Sequence, residues 1–128
     1  MTIRIRNMNR SDKDFYRHFG PVFGSRDVAK QVGVHPYDDE DKNWIAAFDG
    51  KRMVGWVSVR GRLVSDCFVV ESYRKKGLFA ALLKQAVAIH GGRLRAVCTK
   101  SSAPAFSKAG FKKTKSSKNF VWMEQSDA

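Results

Sequence analysis

The most informative segment of the chain lies in its middle and reads Val69-Val70-Glu71-Ser72-Tyr73-Arg74-Lys75-Lys76-Gly77-Leu78-Phe79-Ala80-Ala81-Leu82-Leu83-Lys84-Gln85. The apolar run at 67–70 predicts the end of a β-strand, and the apolar spacing i, i+3, i+4 from Leu78 onward predicts a helix. Residues 72–77 form a tight basic turn between them. The segment therefore predicts a strand, a glycine turn and the start of a helix.

A strand, turn and helix arranged in this way are suited to binding phosphate. The first backbone N–H groups of a helix have no partner within the helix and carry the positive end of its dipole. Gly77 lets the backbone approach a ligand closely, and Arg74, Lys75 and Lys76 add positive charge around it. An ordinary strand-to-helix connection with solvated lysines fits these residues equally well, so other motifs have to decide.

Two motifs resemble those of the GCN5-related N-acetyltransferase (GNAT) family. In the first, Val69 is followed five residues later by Arg-x-x-Gly at 74–77, and Phe79 stands where the family usually has Gly or Ala. The second, Phe106-Ser107-Lys108-Ala109-Gly110-Phe111, is similar to the family's Tyr-x-Lys-x-Gly-Phe segment. Both motifs occur in the expected order, and the resemblance covers most of the chain.

The resemblance implies an α/β (α+β) fold, with a mixed, mainly antiparallel sheet, helices on both faces and splayed central strands. It also implies an acyl-CoA-dependent N-acyltransferase that uses acetyl-CoA or another acyl-CoA and an amine acceptor. In the family, pantetheine pairs with the exposed backbone of the fourth strand and the pyrophosphate binds the turn that follows. The cofactor-binding residues implied here are Phe68, Val69, Val70, Arg74, Lys75, Lys76, Gly77, Leu78 and Phe79.

Acyl transfer to an amine requires a polarised thioester carbonyl, a deprotonated amine and a stabilised leaving thiolate. The resemblance implies that a backbone N–H near Val69 polarises the carbonyl. Asp66 is the candidate base for the amine, although an ion pair with an arginine explains this carboxylate equally well. Phe106 stands at the position of the family's thiolate-protonating Tyr and has no proton to give. The remaining candidate donors are Tyr73, Ser101, Ser102 and water.

Periodicity and turn residues predict the other elements. Strands are expected at 2–8, 43–48, 53–59, 63–70, 94–99, 111–114 and 119–124. Helices are expected from Ser11 to a stop at Gly20-Pro21, from a Ser25 cap to Gly33, and over 78–89 and 101–109.

The net charge of +12 is confined to one part of the chain. Residues 72–123 contain no acidic residue, whereas the basic and acidic residues elsewhere cancel. The basic residues of this part are Arg74, Lys75, Lys76, Lys84, Arg93, Arg95, Lys100, Lys108, Lys112, Lys113, Lys115 and Lys118. This excess suits an acidic partner such as nucleic acid, with Phe120 or Trp122 available to stack on bases, but a solvated surface and core aromatics explain it equally well.

Two functions follow from these observations. The first is an N-acyltransferase that uses acyl-CoA and an amine acceptor, with nucleic acid or a nucleic-acid-associated protein as a candidate acceptor and residues 72–123 as a candidate nucleic-acid-binding region. The alternative is a catalytically weak or inactive module of the same fold that binds nucleic acid or protein.

Length and composition bound the remaining classes. The chain is expected to form a single domain over 1–128, because 128 residues suffice for one core and not for two. No apolar run approaches the ~18 residues of a membrane span, so a cytoplasmic protein without a membrane partner is expected. Cys67 and Cys98 are predicted to be buried thiols. No metal is expected, because neither the cysteines nor the acidic cluster at 38–41 has the pattern of a metal site.

Overall fold

A computed structural model describes residues 3–32, 41–74, 77–91 and 93–125 of the chain. The strands are β1 Ile3–Met8, β2 Lys42–Asp49, β3 Arg52–Arg60, β4 Leu63–Val69, β5 Arg95–Thr99, β6 Phe111–Ser116 and β7 Phe120–Gln125. The helices are α1 Phe15–Phe23, α2 Arg26–Val32, α3 Leu78–His90 and α4 Ala103–Lys108, and a short 3-10 turn spans Glu71–Tyr73.

The seven strands form one sheet in the order β1-β2-β3-β4-β5-β7-β6. Neighbouring strands are antiparallel except β4 and β5, which are parallel. The predicted mixed, mainly antiparallel sheet is therefore confirmed.

The alternation of side chains along the strands places one core on each face of the sheet. Trp44, Ala46 and Phe48 of β2 lie on the face that α1 covers, whereas Ile45 and Ala47 lie on the opposite face beneath α3 and α4. We call the first group, with its neighbours, the aromatic cluster. It consists of Met8, Phe15, Phe19, Val22, Trp44, Ala46, Phe48 and Trp56. The predicted placement of helices on both faces is thus confirmed.

The structure corrects the predicted bounds of α1. This helix begins at Phe15 rather than near Ser11, and it continues through Gly20 and Pro21 instead of stopping there. Gly20 has no Cβ to clash with the proline ring, which lowers the cost of a helical residue before proline. Burial of Phe19 and Val22 in the aromatic cluster offsets the backbone hydrogen bond that proline cannot donate.

The predicted start of the second helix is confirmed. The backbone N–H of Val28 donates to Oγ of Ser25 over 3.1 Å, so the serine caps α2. Gly33, which was predicted to end this helix, lies outside the described residues.

Strand β4 contains a β-bulge at Asp66. Trp56 of β3 pairs with Phe68, whereas Ser58 pairs with Ser65, so two residues of β4 lie opposite one residue of β3. Asp66 has a φ of 53°. Its side chain points to the same face as that of Ser65, since Oγ of Ser58 contacts both.

Candidate active site

A cleft opens where β4 and β5 part. The two strands are paired only at Leu63 with Arg95 and at Val64 with Ala96, although both continue beyond these pairs within the described residues. The cleft has a volume of about 760 Å³ and is lined by the end of β4, the turn after it, the first residues of α3, and the segment from the end of β5 into α4. It is therefore bordered by the phosphate-binding segment predicted from the sequence.

The backbone of Val69 faces this cleft. Val70 donates its N–H to the carbonyl oxygen of Val54 in β3 over 2.8 Å. Because successive residues of a strand direct their N–H and C=O groups to opposite sides, those of Val69 point away from β3 and toward β5. Consistent with this direction, the Val69 carbonyl accepts a hydrogen bond from Nε of Arg74 over 2.7 Å.

Phe68, Val69 and Val70, the implied cofactor-binding residues at the end of the fourth strand, thus occupy different positions. Val69 presents its backbone to the cleft. Phe68 lines the cleft and stacks on Trp56 with ring centroids 4.9 Å apart, but its backbone is paired with β3. The N–H of Val70 is bound by β3, and its side chain packs against the core beneath α3.

The turn after β4 ends in a helix N-terminus that faces the cleft. Gly77 precedes α3 with φ +79°, a left-handed conformation that favours glycine, and a Cβ added to it would meet open space. The first helical bond runs from the N–H of Ala81 to the carbonyl of Gly77. The preceding amides of 78–80 therefore lack a helical acceptor beside the cleft. Lys75 and Lys76 lie outside the described residues.

Leu78 and Phe79 line the cleft and also belong to the core. Leu78 is buried, and the ring of Phe79 packs edge-on against Phe106 with centroids 5.3 Å apart. Phe106 in turn packs edge-on against Phe111. The side chain that replaces the family's small residue at position 79 is accommodated by these aromatic contacts.

Tyr73 lines the cleft and is hydrogen-bonded to a carboxylate. Its hydroxyl donates to Oδ2 of Asp49 over 2.6 Å. This hydrogen bond raises the pKa of Tyr73 above its ordinary value, so the phenol is neutral at physiological pH.

Ser101 belongs to a group of hydroxyls at the end of β5. Oγ1 of Thr99 lies 3.0 Å from Oγ of Ser101 and donates to Oγ of Ser102 over 3.1 Å. All three residues line the cleft. Thr99 was missed in the sequence analysis, although its place at the carboxyl end of a strand is a common position for ligand-binding residues.

Asp66 does not line the cleft, although the next residue, Cys67, does. Its carboxylate accepts hydrogen bonds from Nζ of Lys42 over 2.8 Å and from Oγ of Ser58 over 2.9 Å. The expected alternative of an ion pair is therefore found, with a lysine as the partner instead of an arginine.

Cys67 lines the cleft as well and was also missed as a cleft residue. Burial, followed by the nearby Asp66 charge, raises the pKa of its thiol well above the ordinary range. Burial likewise raises the pKa of Cys98. A thiol held neutral is a poor nucleophile. The prediction of a buried thiol is confirmed for Cys98, whereas Cys67 is only partly buried.

The comparisons with known proteins agree with this geometry. The acetyltransferase (GNAT) domain family matches residues 12–125. The chain belongs to the GNAT family. No curated protein sequence matches the chain at a significant level.

Solved structures with the GNAT fold superimpose on most of this chain. Escherichia coli ElaA has a TM-score of 0.75 and 11% identity, with 98% of this chain and 100% of that chain covered. AAC(6')-Ib in complex with paromomycin and acetyl-CoA has a TM-score of 0.67 and 12% identity, covering 98% and 93%. The PaiA N-acetyltransferase from Thermoplasma acidophilum in complex with coenzyme A has a TM-score of 0.64 and 16% identity, covering 98% and 99%. At these identities the similarity shows the fold.

The described residues contain neither a candidate metal site nor a candidate membrane-spanning helix. Over 3–32, 41–74, 77–91 and 93–125, the His, Cys, Asp and Glu side chains form no group of three or more that is suited to a metal ion. In the same ranges, no helix is both long enough and apolar enough to cross a membrane.

Proposed function

We propose that this GNAT protein binds an acyl-CoA, with acetyl-CoA as the first candidate, in the cleft between β4 and β5 and transfers the acyl group to an amine. The observation that carries the proposal is the parting of β4 from β5, which leaves the backbone of Val69 facing a cleft at the N-terminus of α3. Two of the solved structures above contain acetyl-CoA or coenzyme A.

In this proposal the extended cofactor lies along the free edge of β4. A pantetheine N–H donates to the second lone pair of the Val69 carbonyl, beside the bond from Arg74, much as a neighbouring strand would, and the Val69 N–H is left for the thioester. The pyrophosphate lies in the open space beside Gly77, where the amides of 78–80 and the guanidinium of Arg74 face it. Lys75 and Lys76 remain predicted ligands of the same phosphates.

The reaction forms one C–N bond and breaks one C–S bond. The amine nitrogen attacks the thioester carbonyl, and the oxygen becomes an oxyanion in the tetrahedral intermediate. We assign the N–H of Val69 to this oxyanion, since a fixed backbone donor stabilises charge that develops in the transition state. The intermediate then collapses to the amide and the thiolate of CoA, and the proton that the nitrogen loses passes through water to this sulfur, which leaves as the CoA thiol.

Ser101 is our first candidate to donate a hydrogen bond to the leaving thiolate. Its hydroxyl lies on the cleft surface, 3.0 Å from Oγ1 of Thr99, and a neutral hydroxyl competes for its proton less strongly than a carboxylate does. Tyr73 is the second candidate. Its proton is already donated to Asp49, and the resulting rise in pKa makes the phenol a weaker acid.

We assign Asp66 to positioning instead of direct proton transfer. The ion pair with Lys42 and the hydrogen bond from Ser58 fix the bulge that precedes the cleft edge of β4. A role of Asp66 as the base requires a water molecule between its carboxylate and the amine.

The acceptor in this proposal is a primary amine. The molecule that carries this amine is to be found by experiment. The AAC(6')-Ib structure contains paromomycin, so aminoglycosides are natural members of a first panel. The comparisons give no support to nucleic acid as the acceptor, and they do not favour the alternative of a non-catalytic module. The single domain over 1–128 and the cytoplasmic location also stay predictions.

Calorimetric titration with CoA tests the cofactor site. Gly77→Asp places a carboxylate beside the pyrophosphate and should weaken binding at least ~10-fold. Gly77→Asn has nearly the same shape without the charge and should weaken binding much less. Gly91→Asp is the matched control, because Gly91 has a similar φ of +78° and equally open surroundings at the other end of α3.

Equal affinity of Gly77→Asp and the wild-type protein for CoA would contradict the cofactor site, as would an equal loss in Gly91→Asp. Mass spectrometry of an amine panel after incubation with isotope-labelled acetyl-CoA tests the transfer. We expect a labelled amide on at least one amine. Bound cofactor without any labelled amide would favour the non-catalytic module.

A further inference from the structure

A second candidate binding surface lies on the side of β5 and β7 that faces away from α3 and α4. Ala96, Cys98, Val121 and Met123 of β5 and β7 point into the core beneath those helices. The residues between them point to the opposite face. Those residues are Arg95, Val97 and Thr99 of β5 and Phe120, Trp122 and Glu124 of β7.

Cross-strand pairing arranges this face in rows. Arg95 pairs with Glu124, which pairs with Lys112 of β6. Val97 pairs with Trp122, which pairs with Lys115. We call the surface formed by these two rows, together with Phe120, Arg62 and Arg93, the open face.

Apolar side chains are unusually accessible on the open face. Val97 and Phe120 are each 46% exposed. Trp122 is half-buried and lines a cavity of about 230 Å³ together with Val97 and Arg95. An aromatic ring that lines a surface cavity offers a flat partner for another planar group.

Positive charge surrounds these apolar residues. Arg62, Arg93 and Arg95 line a second cavity of about 600 Å³, which shares Arg95 and Glu124 with the first. The ammonium of Lys115 lies 5.0 Å from the ring centroid of Trp122. The two adjoining cavities thus combine guanidinium groups with an aromatic ring.

We propose that the open face binds single-stranded nucleic acid, with phosphates on Arg62, Arg93, Arg95 and Lys115 and bases stacked on Trp122 and Phe120. Alternating bases and phosphates require planar apolar partners beside cations, which is the combination present here. A single strand exposes its bases for stacking, whereas a duplex hides them. A second copy of the chain fits poorly, because a net charge of +12 and the five cations of the open face would repel it.

The open face also leads toward the acyl-CoA cleft. Phe120 pairs with Thr99, and Thr99 lines that cleft at the far end of β5 from Arg95. The proposal does not depend on the acyl transfer, since the arginines lie outside the cleft lining.

Fluorescence anisotropy of labelled 12-nucleotide oligo(dT) and oligo(U), with the full chain at several salt concentrations, tests the proposal. About four phosphate contacts predict a slope of log K against log salt near −2.8, and Arg93→Gln/Arg95→Gln should flatten it by about 1.4. Arg17→Gln/Lys84→Gln removes the same charge elsewhere and should leave the slope unchanged. Glu124→Gln should strengthen binding, because it removes the one carboxylate of the two rows.

Tryptophan fluorescence measures the stacking of bases on Trp122 separately from phosphate binding. Trp44 and Trp56 are buried, so quenching of tryptophan fluorescence by the oligonucleotide should come from Trp122. Trp122→Ala should weaken binding ~10-fold or more, whereas Trp122→Phe should retain most of the affinity. Preference for oligo(U) over oligo(dT), or the reverse, identifies which single strand fits better.

Unchanged affinity in Trp122→Ala would overturn the proposal, as would binding of heparin or duplex DNA as tightly as the single strand. Self-association in sedimentation experiments that Trp122→Ala abolishes would overturn it in favour of a second copy.

Discussion

The carboxylate of Asp66 lies 2.8 Å from Nζ of Lys42, and both side chains are about 95% buried. Removing one partner deprives the other buried group of this ion pair. We therefore expect Lys42→Met to lower the free energy of unfolding by about 3–5 kcal/mol, and Asp66→Asn to do the same. Urea unfolding measures both losses.

The double variant Lys42→Met/Asp66→Asn is the control for this pair. Since it leaves no unpaired charge, its cost should be well below the sum of the two single losses. Strictly additive costs would show that the two groups do not interact. Below the unfolding temperature, Asp66→Asn should also leave the pH profile of kcat/KM unchanged, because a positioning residue exchanges no proton with the amine.

Gly55 of β3 lies tightly behind the cleft edge of β4. A Cβ at this position would stand 3.2 Å from the carbonyl oxygen of Phe68 and 3.3 Å from Cγ2 of Val69. Since the nearest atom is backbone, we expect Gly55→Ala to destabilise the fold by about 1–3 kcal/mol and to weaken CoA binding. Gly24→Ala is the control, because its Cβ makes only an ordinary contact at 3.8 Å, and it should be neutral or slightly stabilising in the same thermal melts.

The ion pair between Arg6 and Asp14 gives an acid-dependent stability. Nη1 and Nη2 of Arg6 donate to the two carboxylate oxygens over 2.9 and 3.2 Å, which lowers the pKa of Asp14 from 3.8 to about 2. Because the folded-state pKa lies below the unfolded value, the pair stabilises the fold above about pH 4. This stabilisation is lost as the pH falls through about 2.

Asp14→Asn should therefore reduce stability at neutral pH and flatten its pH dependence between pH 4 and pH 2. Urea unfolding at a series of pH values measures both effects. Arg6→Gln removes the same interaction and should give a similar curve. Parallel curves for the wild-type protein and both variants would contradict the assignment.

Phe106 can be converted into the hydroxyl-bearing residue that the GNAT motif usually carries. Its ring packs against Phe79, and its neighbour Ala105 lines the cleft. The Phe106 ring itself is only 1% exposed and does not line the cleft. If departure of the thiolate limits the rate and the added hydroxyl reaches the thiolate from this position, Phe106→Tyr should raise kcat by ~10²–10⁴. Phe106→Leu, which adds no hydroxyl, should not raise kcat, and an unchanged rate in Phe106→Tyr would assign the donor elsewhere.

Sequence patterns predicted the features that are local in the chain. The helix expected over 78–89 is found at Leu78–His90, and the glycine turn before it lies beside the cleft, because turn and helix signals act within a few residues. The ion pair of Asp66 was not assigned to Lys42, which lies 24 residues away on another strand. The bulge at Asp66 was also missed, since a non-glycine residue with positive φ has no reliable local signature.

The bulge at Asp66 constrains the number of residues in β4 between Val64 and Val69. Val64 and Val69 both point into the core beneath α3, although five residues apart they would lie on opposite faces of a regular strand. Deleting or inserting one residue between them would exchange the faces of Phe68 and Val69. Phe68 would then lose its stacking partner and Val69 its place in the core. Relatives that keep the cleft should therefore vary by substitution in this segment and not by insertion or deletion.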